Sequence, residues 1–153
     1  MNVLYELITA VSQNIVLMSS LTAWLTAQIL KVIITFISQS EVDFERLFGA
    51  GGMPSSHTAL VVALASAAGF KDGVQSTFFA VAFVLACIVM YDAAGVRNAA
   101  GKQAKVINKL VRQLRAEHTV DIRLKELLGH SPVEVLAGAL LGFAIAYFYT
   151  KIY

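Results

Sequence analysis

An all-α, membrane-embedded helical bundle is the fold class this sequence predicts, and three observations carry that expectation. Of its 153 residues, 58% are hydrophobic and only 14% are charged. A soluble domain is usually about 45–50% apolar and about 25% charged. The mean hydropathy is +0.70. The charges are also clustered, and the uncharged tracts between them approach the roughly 20 helical residues that cross a hydrocarbon core. About four transmembrane helices are expected, at about 15–37, 55–70, 74–95 and 132–150, in a single membrane domain covering 1–153. A basic amphipathic helix on the cytoplasmic side, inside an insertion at about 98–130, completes the expected architecture.

Each element follows from its residues. Residues 3–14 mix apolar side chains with Glu6, Gln13 and Asn14, as a short interfacial helix or an extension of the first span does. No basic stretch precedes them, so no cleaved signal peptide is expected. The first span carries Lys31. Such a lysine either snorkels to the interface or marks a functional site inside the membrane. A polar loop at 38–56 leads into the second span, and Lys71-Asp72-Gly73 makes a tight turn into the third. Cys87, the one cysteine, excludes an intrachain disulfide and a cysteine metal site, and is expected as a small packed side chain in its apolar run. Beyond Arg97, Lys102, Lys105, Lys109 and Arg112 recur every three or four residues on one helical face, with Ala100, Ala104, Ile107, Val111 and Leu114 on another. That pattern suits either an anionic leaflet or a solvated helical arm. The last span contains Gly138 and Gly142, a spacing that permits close helix packing.

Counting crossings puts the loop 38–56 and the segment 97–131 on one side of the membrane, with the turn at 71–73 opposite. Eight Lys and Arg residues lie in 97–131, while the opposite side has only Lys71 and Lys151. Such a bias marks the cytoplasmic face. Lys31, the Gly51–His57 stretch, Arg97 and the start of the last span gather there.

Two helix starts at that face carry histidines. Gly51-Gly52-Met53-Pro54-Ser55-Ser56-His57 combines flexible glycines with helix-start residues. A helix start offers free N–H groups and a positive dipole end to an anion such as phosphate. In Gly129-His130-Ser131-Pro132-Val133-Glu134, Ser131 and Glu134 have the spacing of a capping box. Glu134 is also within reach of His130, where a carboxylate orients an imidazole for nucleophilic or base chemistry. Arg97, with Lys31 and Arg46, supplies positive charge. Two histidines, a carboxylate and several cations suit phosphoryl transfer. No tight metal-ligand spacing is present, so neither a metal nor a cofactor is expected. His118, between Glu117 and Thr119, reads as exposed and uninvolved.

These stretches resemble the motifs of a known superfamily. Gly51 to His57 is similar to the Pro-Ser-Gly-His motif of the type 2 phosphatidic acid phosphatases, relatives of the vanadium-dependent haloperoxidases. His130 to Gly138 is similar to their His-xxx-Asp motif with its downstream Leu-Ala-Gly. Asp92-Ala93-Ala94-Gly95-Val96-Arg97 and Gly101-Lys102-Gln103-Ala104 resemble the signature of the small divergent branch, and the likeness covers about residues 20–150. It implies that His130 is the nucleophile, that Glu134 orients it, and that His57 protonates the leaving oxygen. It implies phosphate binding by Ser55, Ser56, the Gly52 backbone, Lys31 and Arg97, with Arg46 the nearest substitute for an arginine of the first motif.

The chain departs from the pattern in four places. Ser56 stands for a glycine and Glu134 for an aspartate. Ser38-Gln39 stands for an Arg-Pro pair, and Leu124, beside Arg123 and Lys125, occupies the spacing of the third-motif arginine. Assigning Arg97 to that role makes 98–124 an insertion.

The resemblance implies a metal-independent membrane phosphatase acting on a lipid phosphate or diphosphate through phosphohistidine. A non-catalytic membrane protein that binds anionic lipid or a partner through the basic helix is the alternative. A vanadate-dependent peroxidase fits a small membrane bundle poorly. The expected partners are membrane lipid and a lipid phosphate substrate, with no nucleic acid, and a homodimer is compatible with so thin a bundle. The expected location is a plasma membrane of bacterial type, with the site facing the cytoplasm.

Overall fold

A computed structural model describes residues 2–39, 52–114, 124 and 129–152. Its described residues form six helices: α1 (Val3–Ser12), α2 (Ile15–Gln39), α3 (Ser56–Asp72), α4 (Thr77–Ala94), α5 (Val96–Leu114) and α6 (Pro132–Ile152). Short polar side chains start most of them. Asn14 Oδ1 accepts from the Leu17 N–H, Ser55 Oγ from Thr58 and Ser76 Oγ from Phe79. Each satisfies one of the donors that a helix start leaves open. α3 runs through Lys71 and Asp72, so the turn falls at Gly73–Ser76, slightly later than the sequence implies. Gly73 supplies the left-handed φ of +84° there.

α3 is the centre of the bundle, packed against α2, α4 and α6. It runs alongside α6 in the same direction. The Ser55 N–H donates to the Glu134 carbonyl at one end, and Phe70 meets Phe143 and Tyr147 edge-on at the other. The two glycines of α6 permit this approach. A Cβ at Gly138 would lie 2.4 Å from the Ser55 carbonyl oxygen, and one at Gly142 2.4 Å from that of Ala59. The remaining contacts are also between small residues. Ala23 and Ala27 of α2 meet Ala59, Ala63 and Ala67 of α3 and Ala146 of α6. Ala82 and Ala86 of α4 meet Val61 and Ala65.

This is the reverse of a soluble core. The interior holds alanines with Ser19, Ser20, Gln28, Lys31 and Thr35, while Phe78, Val81, Ile88, Leu140 and Phe148 face outward. Large apolar side chains cover an outer surface when the surroundings are hydrocarbon, and small residues then let helix backbones pack closely. Cys87 belongs to that outer surface: it is exposed on α4 rather than packed.

Among the described residues, three helices are long and apolar enough to cross a membrane: α2, α4 with its continuation, and α6. α3 has 17 residues and spans roughly 25 Å, one turn short of a hydrocarbon core of about 30 Å. α2, α4 and α6 pack along it. α5 follows α4 after Gly95 alone, and α4 is the helix it packs against. Its exposed Lys102, Lys105 and Lys109 and its buried Gly101, Ala104 and Asn108 occupy different faces. Asn108 holds the main chain of Leu124 in both directions, donating at 2.7 Å and accepting at 2.9 Å.

Candidate active site

The site end of the bundle is assembled from four chain segments. Gly52, at φ +84°, precedes α3 and lies against the stem of Lys31; a Cβ there would be 3.2 Å from Lys31 Cγ. Lys31 is 1% exposed, and its Nζ donates to Gln28 Oε1 at 3.0 Å. It therefore does not snorkel to the interface. It points into the bundle, within electrostatic reach of Glu134, His130 and His57.

His130 is fixed at both its main-chain groups. Its N–H donates to the Ala93 carbonyl at 2.9 Å, and its carbonyl accepts from Asn98 Nδ2 at 3.1 Å. Both partners belong to the corner where α4 ends and α5 begins. Gly129 makes the approach feasible. Its φ is +84°, and a Cβ on it would fall 2.3 Å from the Asn98 nitrogen, closer than any non-bonded contact allows. The chain that leaves this corner at Arg97 is thus held at the same corner again by His130.

The capping box at α6 forms. The Ser131 N–H donates to Glu134 Oε2 at 3.0 Å and the Glu134 N–H to Ser131 Oγ at 3.3 Å. The same Oε2 lies 3.1 Å from His130 Nδ1. Capping the helix and orienting the histidine are therefore one arrangement. With Nδ1 held by the carboxylate, Nε2 is the nitrogen left for chemistry. Burial pushes the His130 imidazole below its ordinary 6.5, against the hydrogen bond and charge of Glu134, which favour the protonated ring; Lys31 adds to the lowering and the Gly52 backbone opposes it. The outcome is a neutral ring near pH 7, the form that can attack.

His57 is exposed in the first turn of α3. With Arg97, His130, Asp92, Ile88, Val89 and Ala93 it lines a cavity of about 210 Å³. Arg97 Nε donates to Asp92 Oδ2, and the Arg97 side chain is 51% exposed. Of the residues expected at the site, His57, His130 and Arg97 open on this cavity. Lys31, Ser55, Ser56 and Glu134 do not line it, and the first three are buried. Ser55 Oγ is engaged as the α3 cap and also accepts from Thr58 Oγ1 at 2.9 Å. Gly52 bears on the His130 ring through its backbone. Arg46, Arg123 and His118 lie outside the described residues. Among the described residues, no group of three His, Cys, Asp or Glu side chains converges as metal ligands do.

Three contributors escaped the sequence reading: Asp92 as the partner of Arg97, Asn98 as the clamp on His130, and Gly129 as the residue that admits the clamp. Asp92 and Arg97 flank Gly95, and that pairing of opposite charges across a helix break was the visible signal. Asn98 and Gly129 depend on a long-range contact with no local pattern.

A family model described as the divergent PAP2 family matches residues 12–145. A protein of Bacillus subtilis (strain 168) described as the uncharacterized membrane protein YuiD is 44% identical over 152 residues, covering 89% of this chain and 96% of its own. No solved structure matches the chain significantly.

Proposed function

The chain belongs to the divergent PAP2 family, and on that premise we propose that it is a metal-independent membrane phosphatase acting on a lipid phosphate or diphosphate. The observation that carries this reading is the arrangement of His130. It is buried, hydrogen-bonded through Nδ1 to Glu134, and opens on the same cavity as His57 and Arg97. The phosphate enters that cavity, and Arg97 exchanges Asp92 for the phosphate oxygens. An exposed ion pair of this kind is worth at most about 1 kcal/mol, so the exchange costs little.

His130 Nε2 then attacks phosphorus in line. The bond between phosphorus and the ester oxygen breaks, and His57 gives its proton to that oxygen. The negative charge of the bound phosphate favours the protonated His57 needed for this step. Arg97, with Lys31 behind it, offsets charge on the transferring group. Water next attacks the phosphohistidine, His57 takes the water's proton, the P–N bond breaks, and phosphate leaves with His130 restored. The excess of Lys and Arg at the α5 end supports a site that faces the cytoplasm.

A second reading has its own support. Lys102, Lys105, Lys109 and Arg112 are exposed along α5, and such a stripe suits binding of anionic lipid without catalysis. One comparison separates the two. The protein purified in detergent is offered a panel of lipid phosphates without metal, beside His130→Ala. Phosphate release by the native protein alone supports the phosphatase. No release by either, or equal release by both, removes it.

A further inference from the structure

We propose that the outward side of α5 is a docking surface for the anionic phospholipids of the leaflet in which it starts, separate from the catalytic cavity, and that docking steadies the corner holding His130. The leaflet is then a regulator of the site. That consequence rests on the phosphatase reading, whereas the docking itself does not.

α5 presents three faces. Gly101, Ala104 and Asn108 point one way and are buried, and Asn108 there holds the main chain of Leu124. Lys105, Lys109, Arg112 and Gln113 lie on a second face and line an open cleft of about 580 Å³. Its described lining holds no carboxylate. Val106 and Leu110 lie on the third face, beside the cleft, and are 60% and 52% exposed. The cleft shares no described lining residue with the catalytic cavity. Roughly 12 Å of helix rise separates Lys105 from Arg97.

Charge and apolar surface together pick the occupant. A free phosphate ion would satisfy the cations and leave Val106 and Leu110 in water. A leaflet of anionic phospholipid offers phosphate groups to Lys105, Lys109 and Arg112, and acyl chain to Val106 and Leu110 beside them. The placement agrees. α4 is long and apolar enough to cross the membrane, and α5 begins one residue after it ends.

The first turn of α5 belongs to the site. Arg97 lines the catalytic cavity, and Asn98 Nδ2 donates to the His130 carbonyl at 3.1 Å. The His130 N–H donates across the joint to Ala93 of α4. Gly95 alone separates the two helices, and glycine permits a change of backbone angle there. A helix anchored along its length to the leaflet resists swinging at that joint, so Asn98 and Ala93 keep hold of His130 together.

The test compares nanodiscs of phosphatidylcholine alone with nanodiscs of phosphatidylcholine and phosphatidylglycerol in equal parts. The proteins are the native chain, Lys105→Gln/Lys109→Gln, and Leu110→Gln. All three positions are exposed, so the changes leave the helix contacts intact. Amide hydrogen exchange is read first, because it needs no turnover. In the native protein, phosphatidylglycerol is expected to slow exchange across α5 and at the His130 N–H about tenfold, within what two lysines at an anionic surface supply. Each variant is expected to lose most of that response. Turnover of a short-chain lipid phosphate is read second. Its kcat is expected to rise by a similar factor with phosphatidylglycerol in the native protein, and to stay at the phosphatidylcholine value in Lys105→Gln/Lys109→Gln. An anionic bilayer repels a phosphate substrate, so its charge alone would lower the rate. Slower exchange with no turnover in either bilayer keeps the docking and removes the phosphatase reading. Exchange that ignores phosphatidylglycerol, or that responds equally in the native protein and the variants, overturns the proposal, as does protection of α5 that never reaches His130. Inorganic phosphate that reproduces the protection across α5 in detergent would assign the cleft to a free anion and overturn the leaflet as its occupant.

Discussion

At the scale of single residues, the site depends on groups that do two things at once. Glu134 caps α6 and holds His130. Replacing it with glutamine keeps a carbonyl oxygen for the cap but removes the charge. Burial lowers the His130 pKa and Glu134 raises it, so losing that charge moves the value further down. His130 is neutral and nucleophilic above its pKa and silent below it. The acid limb of the native kcat/KM profile is therefore expected below pH 6.5, and Glu134→Gln is expected to shift it to still lower pH while reducing the plateau by about 10²-fold or more. A profile measured between pH 4 and 8 checks this. An acid limb that moves upward in Glu134→Gln contradicts the pairing.

At the scale of elements, close approach of α6 to α3 sets the site. The Ser55 carbonyl sits where a Gly138 Cβ would be, and Ser55 starts the helix that carries His57. Gly138→Leu overfills that contact. It is expected to cost about 1–3 kcal/mol, seen as a lower thermal midpoint in detergent, and to reduce phosphate release at temperatures where the protein is still folded. Leu140→Ala, on the exposed side of α6, is the control and is expected to change the midpoint little. Equal midpoints for the two variants would show that the glycine contact is not what joins the helices.

How well an element could be read from sequence depended on contrast along it. The spans were legible because Lys, Asp and Glu bracket them. The lysine face of α5 was legible because Lys102, Lys105 and Lys109 recur at helical spacing; its buried face was not, since Gly101 and Asn108 lie there with Ala104 while Ile107 is exposed. α4 gave no such signal. It is apolar all round, since its outer face meets hydrocarbon and its inner face meets alanines, and so Cys87 was expected inside and lies outside. Lys31 was undecided for a related reason. Its stem lies against Gly52, on a segment distant in sequence. The two histidines and Glu134 could be named from local motifs. The Asn98 clamp could not, because it joins residues 98 and 130 and nothing near either announces it.

At the scale of the whole molecule, the bundle brings Lys31, His57, Arg97 and His130 to one end, with Lys71 and Lys151 at the other. A cysteine introduced at the exposed Gln113 of α5, in a Cys87→Ser background, is expected to resist an impermeant thiol reagent in intact cells and to react after permeabilisation. Ready labelling of intact cells would place the site on the outer surface.

The central claim is that His130 carries the phosphoryl group. It is tested most directly by incubating the purified protein with a lipid phosphate labelled at phosphorus and quenching during turnover. The expected result is an acid-labile, base-stable label on the native protein that maps to His130 and is absent from His130→Ala. Turnover without labelled protein, or label that persists in His130→Ala, would contradict it.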